Sequence, residues 1–141
     1  MDCKAKAEEF FELIANRRKT LIEIPLNCSQ GETGTLLYLT FVKDNISASK
    51  LAESLEVSLP RITSVLNSLE SKKLIKRKLD SEDKRKTVVS ITDVGKKLVL
   101  SKKEEAVEKI SKIIERLDEE DINQYIALAG KIGKIIDEVQ E

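Results

Sequence analysis

Residues 74–91 read Leu74-Ile75-Lys76-Arg77-Lys78-Leu79, then Asp80-Ser81-Glu82-Asp83-Lys84-Arg85-Lys86, then Thr87-Val88-Val89-Ser90-Ile91. The last five are β-branched and apolar enough for a strand, and the polar middle has the composition of a turn. The stretch therefore predicts a β-hairpin with a charged tip. Just upstream, Ser47 is placed to cap a short helix with Leu51, Ala52 and Leu55 on its inner face. Ser58 is placed to cap a second, with Leu59, Ile62, Val65, Leu66 and Leu69 inside. A three-residue joint and the small Ala52 at the crossing suit a helix-turn-helix. Helix, helix, hairpin is the winged order of that motif.

Working outward, Cys3, Ala7, Phe10, Ile14, Leu21 and Ile24 fall on one stripe of a first helix, which Pro25 ends. Ser29 and Glu32 have capping-box spacing and open Leu36-Leu37-Tyr38-Leu39-Thr40-Phe41-Val42, a run apolar on all sides that predicts a buried helix with Tyr38 in the core. Asp44-Asn45 marks a turn. Beyond the hairpin, Thr92 is placed to cap a helix running to about Leu117, with Val94, Leu98, Val107, Ile110, Ile114 and Leu117 on one side. Asp118 opens a last helix striped by Ile122, Tyr125, Ile126, Ala129, Ile132, Ile136 and Val139. From Thr92 to Leu117 such a helix spans about 39 Å at 1.5 Å per residue. The end helices thus carry more apolar surface than one small chain covers, which predicts a partner copy. The expected fold is mainly α with a small β-hairpin wing: residues 1–24 a dimerisation helix, 25–91 the winged helix-turn-helix, and 92–141 further dimerisation helices.

Composition narrows the chemistry. The chain has 141 residues, with 25 Lys or Arg balancing 25 Asp or Glu, so one folded domain is expected. Two cysteines and no histidine remove the usual zinc sites and any Ser-His or Cys-His nucleophile. No GxxxxGK[ST] or GxGxxG phosphate loop occurs. No catalytic, cofactor or metal residues are therefore assigned, and no enzyme is expected. No run of about 20 apolar residues is present to span a bilayer, and the charged stretch from Met1 to Glu12 does not resemble a signal peptide, so a cytoplasmic location is expected. Cys3 lies on the apolar stripe and Cys28 in a loop beside a helix start. Both are read as buried or incidental thiols, Cys28 the more reactive.

Zero net charge conceals an uneven distribution. Glu70 to Lys86 holds eight bases against four acids, net plus 4, while Ser101 to Glu141 holds seven against eleven, net minus 4. The outer side of the second short helix carries Pro60, Arg61, Ser64, Asn67, Ser68 and Ser71 and no acid. In a chain that is 35% charged, a merely solvated face would show Glu. A face with nothing to repel phosphates can enter a DNA groove.

These residues resemble the MarR family of bacterial transcription regulators over nearly the whole chain. Most specific is Arg77 through Asp83-Lys84-Arg85-Lys86-Thr87-Val88-Val89-Ser90-Ile91-Thr92-Asp93-Val94-Gly95, which is similar to the family's wing signature of an Arg, a D-x-R, a Val and an LT-x-x-G. Leu51-Ala52-Glu53 to Leu69-Glu70 is similar to its helix-turn-helix in order and spacing. Lys73 stands where the family usually has Gly, and a lysine holds the left-handed backbone at a cost of about 1 kcal/mol. Glu8 and Glu9 precede Phe10-Phe11, where thiol-sensing members carry their reactive Cys.

The resemblance implies a homodimer that presents two winged modules to a pseudo-palindromic site on double-stranded DNA, as a ligand-responsive repressor needing no membrane. DNA contacts would come from Ser58, Pro60, Arg61, Thr63, Ser64, Asn67 and Ser68 in the major groove, with Arg61 bidentate to guanine. Arg77, Lys84, Arg85 and Lys86 would add DNA contacts from the wing, Arg85 in the minor groove and Lys84 and Lys86 on phosphates. Asp83 is read as an organiser pairing with Arg77 or Arg85. A small effector of unknown identity would sit near Phe10, Ile14, Leu36, Tyr38 and Leu39, each of which equally suits plain core. The alternative reading is a winged-helix protein-protein interaction module that does not bind DNA, docking through its charged hairpin.

Overall fold

The computed structural model describes residues 1–15 and 30–140. In chain order it forms α1 (Cys3–Ala15), α2 (Gln30–Phe41), β1 (Ile46–Ser47), α3 (Ala48–Ser54), α4 (Leu59–Ser71), β2 (Ile75–Leu79), β3 (Thr87–Ile91), α5 (Asp93–Ile114) and α6 (Glu119–Gln140). The fold is mainly α with a small antiparallel wing. Two compact units divide the chain, Met1–Glu104 and Glu105–Glu141. The expectations for the end of the first helix, Cys28 and the Ser29 half of the capping box lie outside the described residues, as do those for the side chains of Phe10 and Ile14.

In the first unit the caps form where the sequence puts them. Ser47 Oγ accepts the Lys50 N–H at 3.3 Å and Ser58 Oγ accepts that of Arg61 at 3.2 Å, opening α3 and α4. Both helices then end in the same way. Glu56 (φ 54°) and Lys73 (φ 62°) adopt the left-handed conformation. The N–H of Val57 donates to Ala52 O and that of Leu74 to Leu69 O, so each exit is a Schellman motif built without glycine. Lys73 therefore takes the backbone geometry that glycine would supply more cheaply.

The hairpin forms between β2 and β3, with Arg77 opposite Val89 and Ile75 opposite Ile91. Sequence reasoning missed β1, which pairs antiparallel with the other edge of β3, Ile46 opposite Val89, to give the order β1-β3-β2. Two residues are too few to show a period. The connection is reinforced by side chains: Asp44 Oδ1 accepts the Ile91 N–H at 2.9 Å and Asn45 Oδ1 accepts the Ser90 hydroxyl at 2.6 Å.

The core gathers Leu36 and Leu39 of α2, Leu51 and Ala52 of α3, Ile62, Leu66 and Leu69 of α4, Ile75, Val89 and Ile91 of the sheet, and Val99 of α5. Full burial of each Leu, Ile or Val side chain contributes about 1.5–3 kcal/mol. Three expectations about faces need correction. Phe41 and Val42 are 51% and 68% exposed because α2 runs out past the core, so the apolar run is not buried on all sides. Instead, Lys103 Nζ stands 5.3 Å from the centre of the Phe41 ring, in cation–π range. Leu59, in the first turn of α4, is half exposed because the core begins at Ile62. Along α5 Val99 and Ala106 are buried, whereas Val94 faces solvent. Gly95 decides this: a Cβ there would collide with the Leu74 carbonyl oxygen and lie 2.8 Å from Ile91 Cγ1, so the helix backbone itself packs on the sheet. Thr92 secures the same junction, accepting the Gly95 N–H at 3.0 Å and donating its hydroxyl to the carbonyls of Lys73 and Leu74. Cys3, expected on a buried stripe, is exposed.

The second unit contains α6, whose apolar stripe is open. Tyr125, Ile126, Ile136 and Val139 are all exposed, Val139 by 79%. Among the described residues no helix is long and apolar enough to cross a membrane.

Candidate nucleic-acid interface

The outward side of α4 follows from its inward one. With Ile62, Leu66 and Leu69 buried, the 3.6-residue period turns Pro60, Arg61, Thr63, Ser64 and Asn67 to solvent, and all five are exposed along with the cap Ser58. Thr63 donates its hydroxyl to the Leu59 carbonyl at 2.8 Å, which holds its side chain close to the helix. Ser68 departs from the expected outward face. It is half-buried, and its hydroxyl donates to Glu32 Oε1 of α2 at 2.9 Å, beside Lys72 Nζ on Oε2 at 2.7 Å. Glu32, read from sequence as a cap, is a buried carboxylate that ties α2 to the last turns of α4.

Arg77 and Asn67 meet. Arg77 Nη2 donates to Asn67 Oδ1 at 2.7 Å and to Glu70 Oε1 at 3.1 Å, while its Nε and backbone N–H donate to Glu70 Oε2. These bonds hold the Glu70 carboxyl below the ordinary glutamate range, against a smaller upward push from desolvation. Sequence reasoning paired Asp83 with Arg77 or Arg85, and of the two the structure gives it Arg85. Arg77 is bound to Glu70, and Asp83 Oδ1 accepts the backbone N–H of Arg85 at 3.0 Å. Asp83 remains an organiser of the tip, acting through the backbone. Asp80 Oδ1 likewise accepts the Glu82 N–H, and Lys86 closes the loop by bonding Asp83 O through its N–H and the Asp80 N–H through its carbonyl. Lys84, Arg85 and Lys86 are left exposed around this tip.

The residues expected to line a ligand pocket are distributed otherwise. Leu36 and Leu39 are fully buried and Tyr38 packs partly buried against the core. A largely apolar cleft of about 150 Å³ lies on another side of α2, lined by Gly31, Gly34, Thr35, Leu55, Val57, Arg61, Ile62 and Val65. A Cβ on Gly31 would stand 3.3 Å from Val65 Cγ2, so the missing side chain lets α2 approach α4 closely there. The signal available in the sequence was the pair of glycines in the first turns of α2.

Comparison with known proteins agrees with this architecture. The profile described as the MarR family matches residues 34–87. Over 105 residues the chain is 28% identical to the uncharacterized HTH-type transcriptional regulator YdgJ of Bacillus subtilis (strain 168), covering 74% of this chain and 64% of that protein. It is equally similar to the HTH-type transcriptional repressor YetL of the same strain, covering 74% of this chain and 63% of YetL. The match thus spans just under two thirds of the length of these relatives. Among solved structures, the S. aureus MepR-DNA complex superposes with a TM-score of 0.65 at 27% identity, over 90% of this chain and 96% of MepR. With the helix-turn-helix, the three-stranded wing and the long flanking helices in this order, the chain is similar to the MarR family, whose profile matches residues 34–87.

Proposed function

We propose that the protein is a homodimeric transcription regulator that binds a pseudo-palindromic site on double-stranded DNA, with α4 in the major groove and the hairpin tip along the minor groove. The observation that carries this reading is the exposed, acid-free face of α4 from Ser58 to Asn67, set on a rigid core beside a basic tip. Its short polar side chains suit base edges and phosphates, and its one guanidinium, Arg61, suits guanine. The names of YetL, a repressor, and of the MepR-DNA complex support the same role. Residues 25–91 would be the DNA-binding region, and 1–24 and 92–141 the dimerisation helices, with the open stripe of α6 meeting a second copy. No enzymatic activity is assigned, and a cytoplasmic location goes with binding DNA. Ligand-responsive repression is the finer form of the proposal, supported by the apolar cleft that Arg61 of α4 helps to line.

Selection of duplexes from a randomised pool, followed by sedimentation of the complex, tests the reading. Two chains of 15.9 kDa per enriched, inverted-repeat duplex are expected. A free chain that sediments as a monomer at micromolar concentration and retains no duplex would refute it, and would favour the protein-docking alternative.

A further inference from the structure

We propose that Arg77 is a positioning residue that turns Asn67 into a point on α4 that reads hydrogen-bond acceptors in preference to donors. This rests on the DNA-binding reading and deepens it. A free asparagine amide offers both a donor and an acceptor, the combination that matches the N6 and N7 edge of adenine. Asn67 is not free. Its Oδ1 receives Arg77 Nη2 at 2.7 Å. A guanidinium has no acceptor, so the amide orientation is dictated by chemistry: the oxygen faces Arg77 and the NH2 group is turned away from it. Among the described residues Nδ2 has no hydrogen-bond partner, and Asn67 is exposed.

Arg77 is itself held. Glu70 accepts from its Nε, its Nη2 and its backbone N–H, so the guanidinium is fixed in one plane between α4 and β2. Arg77 takes one of the two lone pairs of Asn67 Oδ1, and an N–H donor approaching the other is repelled by the guanidinium bonded at 2.7 Å. An acceptor approaching Nδ2 meets only hydrogens. The partner is therefore an acceptor oxygen or nitrogen: N7 of either purine, O6 of guanine, O4 of thymine, or a phosphate oxygen. The amine of adenine or cytosine is disfavoured. Two residues ten positions apart in sequence thus set a preference that Asn67 alone would not have.

The test uses the full chain and the duplex selected above, with binding followed by fluorescence anisotropy for the wild type and Asn67→Ala. Single groups are altered along the site. 7-Deazapurines, 2-aminopurine in place of guanine and 4-thiothymine in place of thymine alter the base acceptors N7, O6 and O4 in turn, a methylphosphonate linkage removes a phosphate oxygen, and purine in place of adenine removes a base amine. One acceptor deletion should weaken the wild type roughly 3- to 10-fold and leave Asn67→Ala unaffected, which also identifies the acceptor as base or phosphate. Amine deletions should weaken both proteins equally. Coupling of Asn67 to an amine, or to no group at all, overturns the inference while leaving the DNA-binding reading intact. Failure to select any duplex overturns both.

Arg77→Met, which keeps the stem and removes the donors, provides a second readout. It should relax base preference only at the position coupled to Asn67, or weaken only that phosphate contact. A uniform loss at every position would mean that Arg77 is merely structural. If Arg77→Met does not fold, the measurements on wild type and Asn67→Ala decide alone.

Discussion

Lys72, the C-cap of α4, reaches Glu32 on α2, Nζ to Oε2 at 2.7 Å, across forty residues of sequence. The carboxylate is nearly buried and the ammonium is not, the side chains being 10% and 43% exposed. The bond therefore acts mainly to satisfy a charge that folding has taken out of water.

Glu32→Ala should accordingly destabilise the protein by about 1–3 kcal/mol, because Ser68 loses its acceptor along with Lys72. Glu32→Gln, which retains an oxygen for Ser68, should cost less. Urea unfolding midpoints at constant m-value would measure both.

Gly95 and Gly34 should respond oppositely to the same change. Gly95→Ala drives a methyl into the Leu74 carbonyl and should cost about 1–3 kcal/mol or more. Gly34 sits within α2 with nothing described within 4 Å of an added Cβ, so Gly34→Ala should gain about 0.5–1 kcal/mol. The same unfolding experiment checks the pair.

Acid should weaken the wing's attachment. Bonds from Arg77 lower the Glu70 carboxyl in the folded state, so its stabilising effect is complete above the unfolded glutamate value of about 4.3 and is lost as pH falls through the lower folded value. From neutral pH down to about 5 the effect is constant. Below that, the wild-type melting temperature should fall more steeply than that of Glu70→Gln, and equal slopes would contradict the assignment.

Arg61 and Arg85 should separate on DNA. Arg85→Ala should weaken binding to selected and scrambled duplexes alike and reduce the salt slope by about one phosphate per site. Arg61→Ala should cost about 1–3 kcal/mol per half-site on the selected duplex and little on the scrambled one. Anisotropy titrations across a salt series distinguish the two, and equal losses on both duplexes would reduce Arg61 to a phosphate contact.

Much of this arrangement was legible in the sequence because its signals are local. Ser47 and Ser58 announce helix starts by type and position, and the β-branched run from Thr87 to Ile91 announces a strand. What escaped depends on residues far apart. Asp44 and Asn45 look like turn residues, and only the fold brings their side chains to Ile91 and Ser90. Glu32 has the spacing of a cap, and nothing local foretells Ser68 and Lys72 as partners. Val94 satisfied the apolar period as well as Val99 did, since a period gives the width of a face and not its angle. That angle was set by the bare backbone of Gly95. For the candidate site, the exposed face of α4 could be read residue by residue, whereas the Arg77 to Asn67 bond joins a strand to a helix and leaves no spacing signature.

The tip of the hairpin carries a consequence for association. Asp80 and Asp83 are bonded to the backbone of their own loop, so two of its acids act as internal ties while Lys84, Arg85 and Lys86 extend from a turn whose shape is already set. A polyanion meeting this loop finds its main chain already tied at Asp80, Asp83 and Lys86. The entropy lost on contact is that of three long side chains, on the order of 0.5–1.5 kcal/mol each, and the loop can engage without a folding step of its own.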